Sequence, residues 1–209
     1  MVQKESEAER RPRGRPRKVD PETALNRARN AFWDTGYAAT SLDDLSAATG
    51  LNRPSLYSSF GDKQALYLAS LKKSRAELTA SLTAALKPDE PLRAGLERVF
   101  GAAGLIYTQG DRAQRGCFLI GTAVTESVAD PEIRAELAGA LDEIDAVFAA
   151  RLVRAQATGE LAADADVQGL AKLATATLNG MAVRARAGGD LATLSMFGKA
   201  LVDMICGRR

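Results

Sequence analysis

The sequence predicts an all-α fold, and three observations predict it. Apolar residues make up 46% of the 209 and aromatic residues only 5%, with alanine very frequent. Small side chains of this kind favour closely packed helices. Apolar positions recur every three or four residues through most of the chain, with no useful strand-like alternation. Proline and glycine cluster between the periodic segments more than within them, where helices begin and end.

The elements follow in order. Residues 1–18 read as a disordered basic arm. Asp20 caps a first helix with Pro21 at its first position; it runs to about Thr35, buries Leu25, Ala28 and Phe32, and ends at Gly36. Residues 40–60, TSLDDLSAATGLNRPSLYSSF, read as two short helices around a tight turn. Ser41 with Asp44 forms a variant of the capping box. Gly50 supplies the left-handed residue that closes a helix. Asn52 caps the next helix, and Pro54 sits in its first turn. A fourth helix runs from about Asp62 to Leu86, with Leu66, Leu71, Leu78 and Leu82 buried and Lys72, Lys73 and Arg75 wet. Lys87–Pro91 breaks it. Beyond lie five further helical segments. The first, Pro91 to about Thr108, carries Leu92, Leu96, Val99, Phe100 and Leu105. An apolar helix spans Gly116 to about Val128, and a long one Pro131 to about Thr158. A fourth covers Val167 to about Ala187, with Leu170, Leu173, Leu178 and Met181, and the last Leu191 to about Ile205.

In the 40–60 stretch Leu56 and Phe60 point to the core. Arg53, Ser55, Tyr57, Ser58 and Ser59 lie on other faces, and their hydrogen-bonding side chains suit a helix in a DNA groove. Ala31-Phe32, Gly36-Tyr37, Thr40-Ser41, Leu45, Gly50-Leu51, Leu56-Tyr57, Phe60, Lys63 and Leu66 together resemble the DNA-binding domain of TetR-family transcriptional repressors, over roughly residues 19 to 79. The resemblance implies a three-helix DNA-binding head joined by a long helix to a helical ligand-binding and dimerisation domain at 80–209. It further implies a homodimer on double-stranded DNA with an inverted-repeat operator, released by a small-molecule inducer. Arg53, Ser55 and Ser58 are the expected base contacts, and Thr40, Tyr57 and Lys63 the expected phosphate contacts. Ser41, Asn52 and Pro54 complete the DNA-facing set. The last two helices are expected to pair with their copies, with Ala174, Ala176, Gly180 and Ala182 permitting close approach.

The formal charge of +2 is unevenly placed. Arg10, Arg11, Arg13, Arg15, Arg17 and Lys18 lie together with no acid among them, so the rest of the chain is net acidic. A basic arm on an acidic body points to phosphate backbones. Gly14-Arg15-Pro16-Arg17 resembles an AT-hook core, in which Arg15 and Arg17 enter a narrow minor groove.

The body does not identify its ligand. Phe100, Tyr107, Cys117, Phe118, Thr122 and Phe148 are the candidates for a pocket lining. Cys117 follows Arg115 at a helix start, where the dipole and the cation favour thiolate. The run from Gly116 to Ile120 resembles that of TetR-like repressors that sense electrophiles through a cysteine. An electrophile or oxidant sensor is therefore the alternative to a non-covalent inducer. Apolar burial would work against it by raising the thiol pKa.

Other classes find little support. There is no histidine, which removes His-based triads and the commonest metal ligand. Asp142, Glu143 and Asp145 read as a solvated helix face rather than a catalytic group. No cofactor or metal is implied, and a helical enzyme or a DNA-independent interaction protein stands behind the regulator. No segment has the apolar length of a membrane span, no secretory signal is present, and two distant cysteines make no disulfide framework. The expected location is the cytoplasm, on the nucleoid.

Overall fold

The structure, a computed structural model, describes residues 19–110 and 113–208. The arm, with Arg15 and Arg17, lies outside the described residues. Within them the chain forms helices and no strand: α1 (Pro21–Thr35), α2 (Leu42–Thr49), α3 (Arg53–Phe60), α4 (Lys63–Ala85) and α5 (Leu92–Thr108), then a π-helical turn (Leu119–Ala123) running into the short α6 (Val124–Glu126), and finally α7 (Pro131–Ala157), α8 (Val167–Arg186) and α9 (Leu191–Cys206).

The starts are set by local chemistry. Asp20, Asn52, Asp62, Asp166 and Asp190 each accept the backbone N–H three residues on, at 2.8–2.9 Å. Such a cap contributes about 1 kcal/mol. α5 begins at Pro91 with no side-chain cap. Its first N–H, on Leu92, goes instead to Glu160 Oε2 at 2.5 Å, reached from across the body.

Two apolar cores result. The head core holds Phe32, Leu45, Leu56, Leu66, Tyr67 and Leu71, and it extends into later residues, namely Phe118, Leu119, Ile133 and Ala140. The body core holds Leu82, Leu96, Phe100, Phe148, Leu178, Met181, Leu194 and Val202. α4 serves both. Its 23 residues make a rod about 34 Å long, with Leu66 and Leu71 in one core and Leu82 in the other. It passes residues 79–80 without a break.

Four expectations need correcting. Arg75 does not stay wet: it bridges α4 to α7 through Glu136 at 3.3 Å and Glu143 at 2.6 Å. The helix expected from Gly116 begins only at Phe118 and is largely π-helical. Gly116 has φ +65°, and a Cβ there would sit 2.4 Å from the Ala182 carbonyl oxygen. The chain is pressed onto α8 at that point in a left-handed conformation no helix shares. Leu105 and Leu173 are exposed, because Leu96, Val99, Ala103 and Tyr107 on α5 and Ala171, Ala174 and Leu178 on α8 take the inward face. Ala174 and Ala182 are themselves buried within the chain, so their small size serves its own core.

Candidate nucleic-acid interface and body cavity

The turn between α2 and α3 is fixed by short-range bonds. Asp44 N–H donates to Ser41 Oγ at 3.1 Å, and Ser41 N–H donates back to Asp44 Oδ2 at 2.8 Å. Side-chain and backbone hydrogen bonds from Ser41 hold the Asp44 carboxyl below its ordinary pKa. Gly50 closes α2 at φ 74°, ψ 12°, in the left-handed region where a side chain is strained. Thr49 is fully buried; its Oγ1 donates to Leu45 O and accepts from Leu51 N–H. Asn52 then caps α3, and Pro54 lies in its first turn.

α3 is held by one buried residue, Leu56. Arg53, Pro54, Tyr57, Ser58 and Ser59 are exposed, and Ser55 is half-buried. One anchored face and one polar outward face make a helix that stands off the head. Lys63 opens α4 beside it, with Nζ 4.5 Å from the Tyr37 ring centroid. Thr40 departs from expectation. Its side chain is buried, and its hydroxyl donates to Gly36 O at 2.6 Å and lies 2.7 Å from Thr35 Oγ1. It ties the α1–α2 link together and is not available to a phosphate.

Asp43 is the residue that sequence reasoning passed over. Arg53 Nε donates to its Oδ1 at 3.0 Å and Nη2 to its Oδ2 at 2.8 Å. This occupies one edge of the guanidinium and leaves the Nη1–Nη2 edge with donors to spare on a half-exposed side chain. Both side chains are exposed, so the pair contributes little to stability. An acid ten residues before a candidate base-reading arginine was the available signal.

A cavity of about 580 Å3 opens between α1, α4, α5 and the 116–119 segment. Of the expected lining, Tyr107, Cys117 and Phe118 are there. Phe100, Thr122 and Phe148 are not. The two Phe rings stack on each other in the body core at 6.2 Å, and Thr122 Oγ1 lies 2.7 Å from the Tyr67 hydroxyl in the head core. Among the lining groups that were not expected are Arg29 and Trp33 of α1, and Glu77 of α4. Arg29 is 5% exposed and donates from Nη1 to Glu77 Oε2 at 2.5 Å. Burial would raise the Glu77 carboxyl, but hydrogen bonds and charge from Arg29 and Lys73 outweigh it and hold the group below its ordinary pKa. Trp33 Nε1 donates to Arg115 O at 3.1 Å, and Arg115 pairs with Asp34 at 2.9 Å. The head thus forms part of the cavity wall.

Cys117 lies in that wall with backbone N–H groups of Ile120 and Leu119 donating to its sulfur. Burial raises the thiol pKa, and those two bonds only partly offset it. At neutral pH the group is therefore a thiol, the slower nucleophile. A Cys206→Ser variant, which keeps Cys117, is expected to react with N-ethylmaleimide at pH 7.5 at least about tenfold more slowly folded than in urea. The folded rate should climb as pH rises past 9. Mass spectrometry of quenched samples measures both rates. Folded labelling as fast as unfolded would restore Cys117 as a poised sensor.

Asp142, Glu143 and Asp145 divide their roles: Glu143 holds Arg75, Asp145 holds Lys172 at 3.3 Å, and Asp142 is exposed. Among the described residues no cluster of acids, cysteines or histidines is arranged to hold a metal ion, and no helix is long and apolar enough to cross a membrane.

Two family models match the chain. Residues 24–70 match that of bacterial regulatory proteins of the tetR family, and residues 95–201 that of the tetracyclin repressor-like C-terminal domain. The HTH-type transcriptional repressor ComR of Escherichia coli (strain K12) is 32% identical over 93% of this chain and 92% of its own. The uncharacterized HTH-type transcriptional regulator YezE of Bacillus subtilis (strain 168) is 29% identical over 76% of this chain and 82% of its own. Among solved structures, a cysteine mutant of the TetR family transcriptional regulator CifR, complexed with 26-base-pair double-strand operator DNA, superposes with a TM-score of 0.82. That protein is 30% identical, and the alignment covers 92% of this chain and 100% of it.

Proposed function

Because the chain belongs to the TetR family of bacterial regulatory proteins, we propose that it binds an inverted-repeat operator as a homodimer and represses transcription until a small molecule in the body cavity releases it. The protein then works in the cytoplasm, on the nucleoid. Residues 1–18 are the arm that adds phosphate contacts, 19–79 the DNA-reading head, and 80–209 the ligand-binding and dimerisation body.

The observation that carries the reading is α3, buried only at Leu56 and polar on its outward side. A helix so presented fits the major groove, with two copies reading half-sites related by the dimer axis. Arg53, Ser55 and Ser58 read bases; Tyr57 and Lys63 meet phosphates; Ser41, Asn52 and Pro54 shape the surface. The partner copy packs on α8 and α9. Leu173, Ala176, Gly180 and Val183 recur on one exposed side of α8, and Met196 and Met204 lie exposed on α9. Exposed apolar side chains recurring on two neighbouring helices support an interface there.

The base-reading assignment has a direct test. The Nη1–Nη2 edge of Arg53 can donate to guanine O6 and N7, so Arg53→Ala should cost about 1–3 kcal/mol on the operator. Asp43 positions that edge. Asp43→Asn keeps every cation, so it should leave binding to scrambled DNA unchanged or tighter, while the ratio of operator to scrambled affinity falls by about three- to tenfold, the worth of an exposed ion pair near 1 kcal/mol. Fluorescence anisotropy on both duplexes gives the ratio. If Asp43→Asn tightens operator and scrambled DNA equally, Asp43 only repels phosphate and does not aim Arg53.

A further inference from the structure

Arg29 is an uncommon wall for an apolar cavity. The guanidinium carries five N–H donors, yet the side chain is 5% exposed and only Nη1 has a partner, on Glu77. Nε is buried with no acceptor, and so is Ser74 Oγ in the same wall. Buried donors left unpaired are costly. The remaining surface is largely apolar, with the rings of Trp33, Tyr107 and Phe118 among it.

The charges around Arg29 set the sign of what fits. Glu77 is half exposed and shared: Lys73 Nζ lies 3.3 Å from its Oε1, and Lys73 also holds Glu22 at 2.8 Å. Glu77 therefore keeps a cation and water if Arg29 turns away from it. Among the described residues Arg29, by contrast, pairs with no other acid. What the wall leaves unsatisfied is donor capacity, at Arg29 Nε and Ser74 Oγ, on a guanidinium whose one acid is shared with Lys73. A neutral apolar molecule would leave it unmet, and an ammonium would meet a carboxylate already held by two cations. A carboxylate accepts from two guanidinium nitrogens at once.

We propose that the cavity takes an apolar monocarboxylic acid, its carboxylate on Arg29 and its hydrocarbon against the Trp33, Tyr107 and Phe118 rings. This rests on the effector reading above and names the effector's chemical class. Because Arg29 and Trp33 belong to α1, such a ligand touches the head directly rather than only through α4. A carboxylate that takes Arg29 from Glu77 also loosens the link between α1 and α4.

The test is calorimetric titration of the full-length chain with octanoate and 4-phenylbutyrate, each against its primary amide, and with octylammonium. Each acid should bind at least tenfold more tightly than its amide, and octylammonium most weakly. Arg29→Gln should erase the difference between acid and amide. Glu77→Gln, changed at a half-exposed position the fold tolerates, should tighten both acids by freeing Nη1. Amides that bind as well as the acids, preference for octylammonium, or no binding by any probe would overturn the proposal. Operator affinity, measured without probe, separates the two readings: its absence sinks the regulator reading, whereas acids that bind without weakening operator binding sink only their role as effectors.

Discussion

Val183→Asp combined with Met196→Asp is expected to give a folded monomer whose affinity for the full operator has fallen by about 10²–10⁴-fold. Val183 is 55% exposed on α8 and Met196 64% exposed on α9, while Ala182 next to Val183, and Gly198 two residues after Met196, are buried. The changes therefore leave the internal packing alone and put charge on the face proposed to meet the second copy, where desolvating it is unfavourable. The loss on DNA follows from geometry. In a dimer, the second head binds its half-site from a high local concentration set by the first. A monomer loses that gain and keeps its half-site contacts. Sedimentation equilibrium reads the mass, and anisotropy on full and half operators reads the rest. Half-site affinity should stay within about twofold of the wild-type head. A double variant that remains dimeric places the interface on another face.

What could be read from sequence divides by the distance over which the cause acts. The α2–α3 turn was legible because Ser41, Asp44, Gly50, Asn52 and Pro54 set it within a few residues of one another. The cavity was not. Its wall joins Arg29 to Glu77, and Trp33 is tied to Arg115, across 48 and 82 residues. No periodicity encodes such pairings. Arg75 looked like a solvated cation because its partners, Glu136 and Glu143, lie 61 and 68 residues on. Thr40 fell on a position where a phosphate contact was expected, but the side chain turned inward to bond Gly36. Leu105 and Leu173 failed for another reason: helices with apolar residues on more than one side do not say which side is inward. On α8 the second apolar side is the one now assigned to the partner.

Phe32→Ala should separate the two cores by experiment. The ring is 0% exposed, with its centroid 5.1 Å from that of Tyr67 and 6.0 Å from that of Tyr37. Truncating a buried Phe costs about 3–5 kcal/mol, part transfer and part cavity. Its neighbours are α1, α2 and the first half of α4, whereas the contacts among α5, α8 and α9 lie in the body core. The loss should fall on the head first. Operator binding at 37 °C is expected to weaken as the folded fraction of the head falls, by up to about a hundredfold where the head has no stability in reserve, since 3 kcal/mol is a factor above 10², while the dimer survives. Native-state hydrogen exchange shows where the energy went. Protection should fall by about two to three orders of magnitude in α1 to early α4, and by far less in α8 and α9. The later members of the head core, Phe118, Leu119, Ala123, Ile133 and Ala140, set the limit of this separation, because through them the early part of α7 and the 116–123 segment loosen with the head. Uniform loss of protection from α1 to α9 would mean that α4 and these residues weld head and body into one cooperative unit, and an effector would then have to move both together.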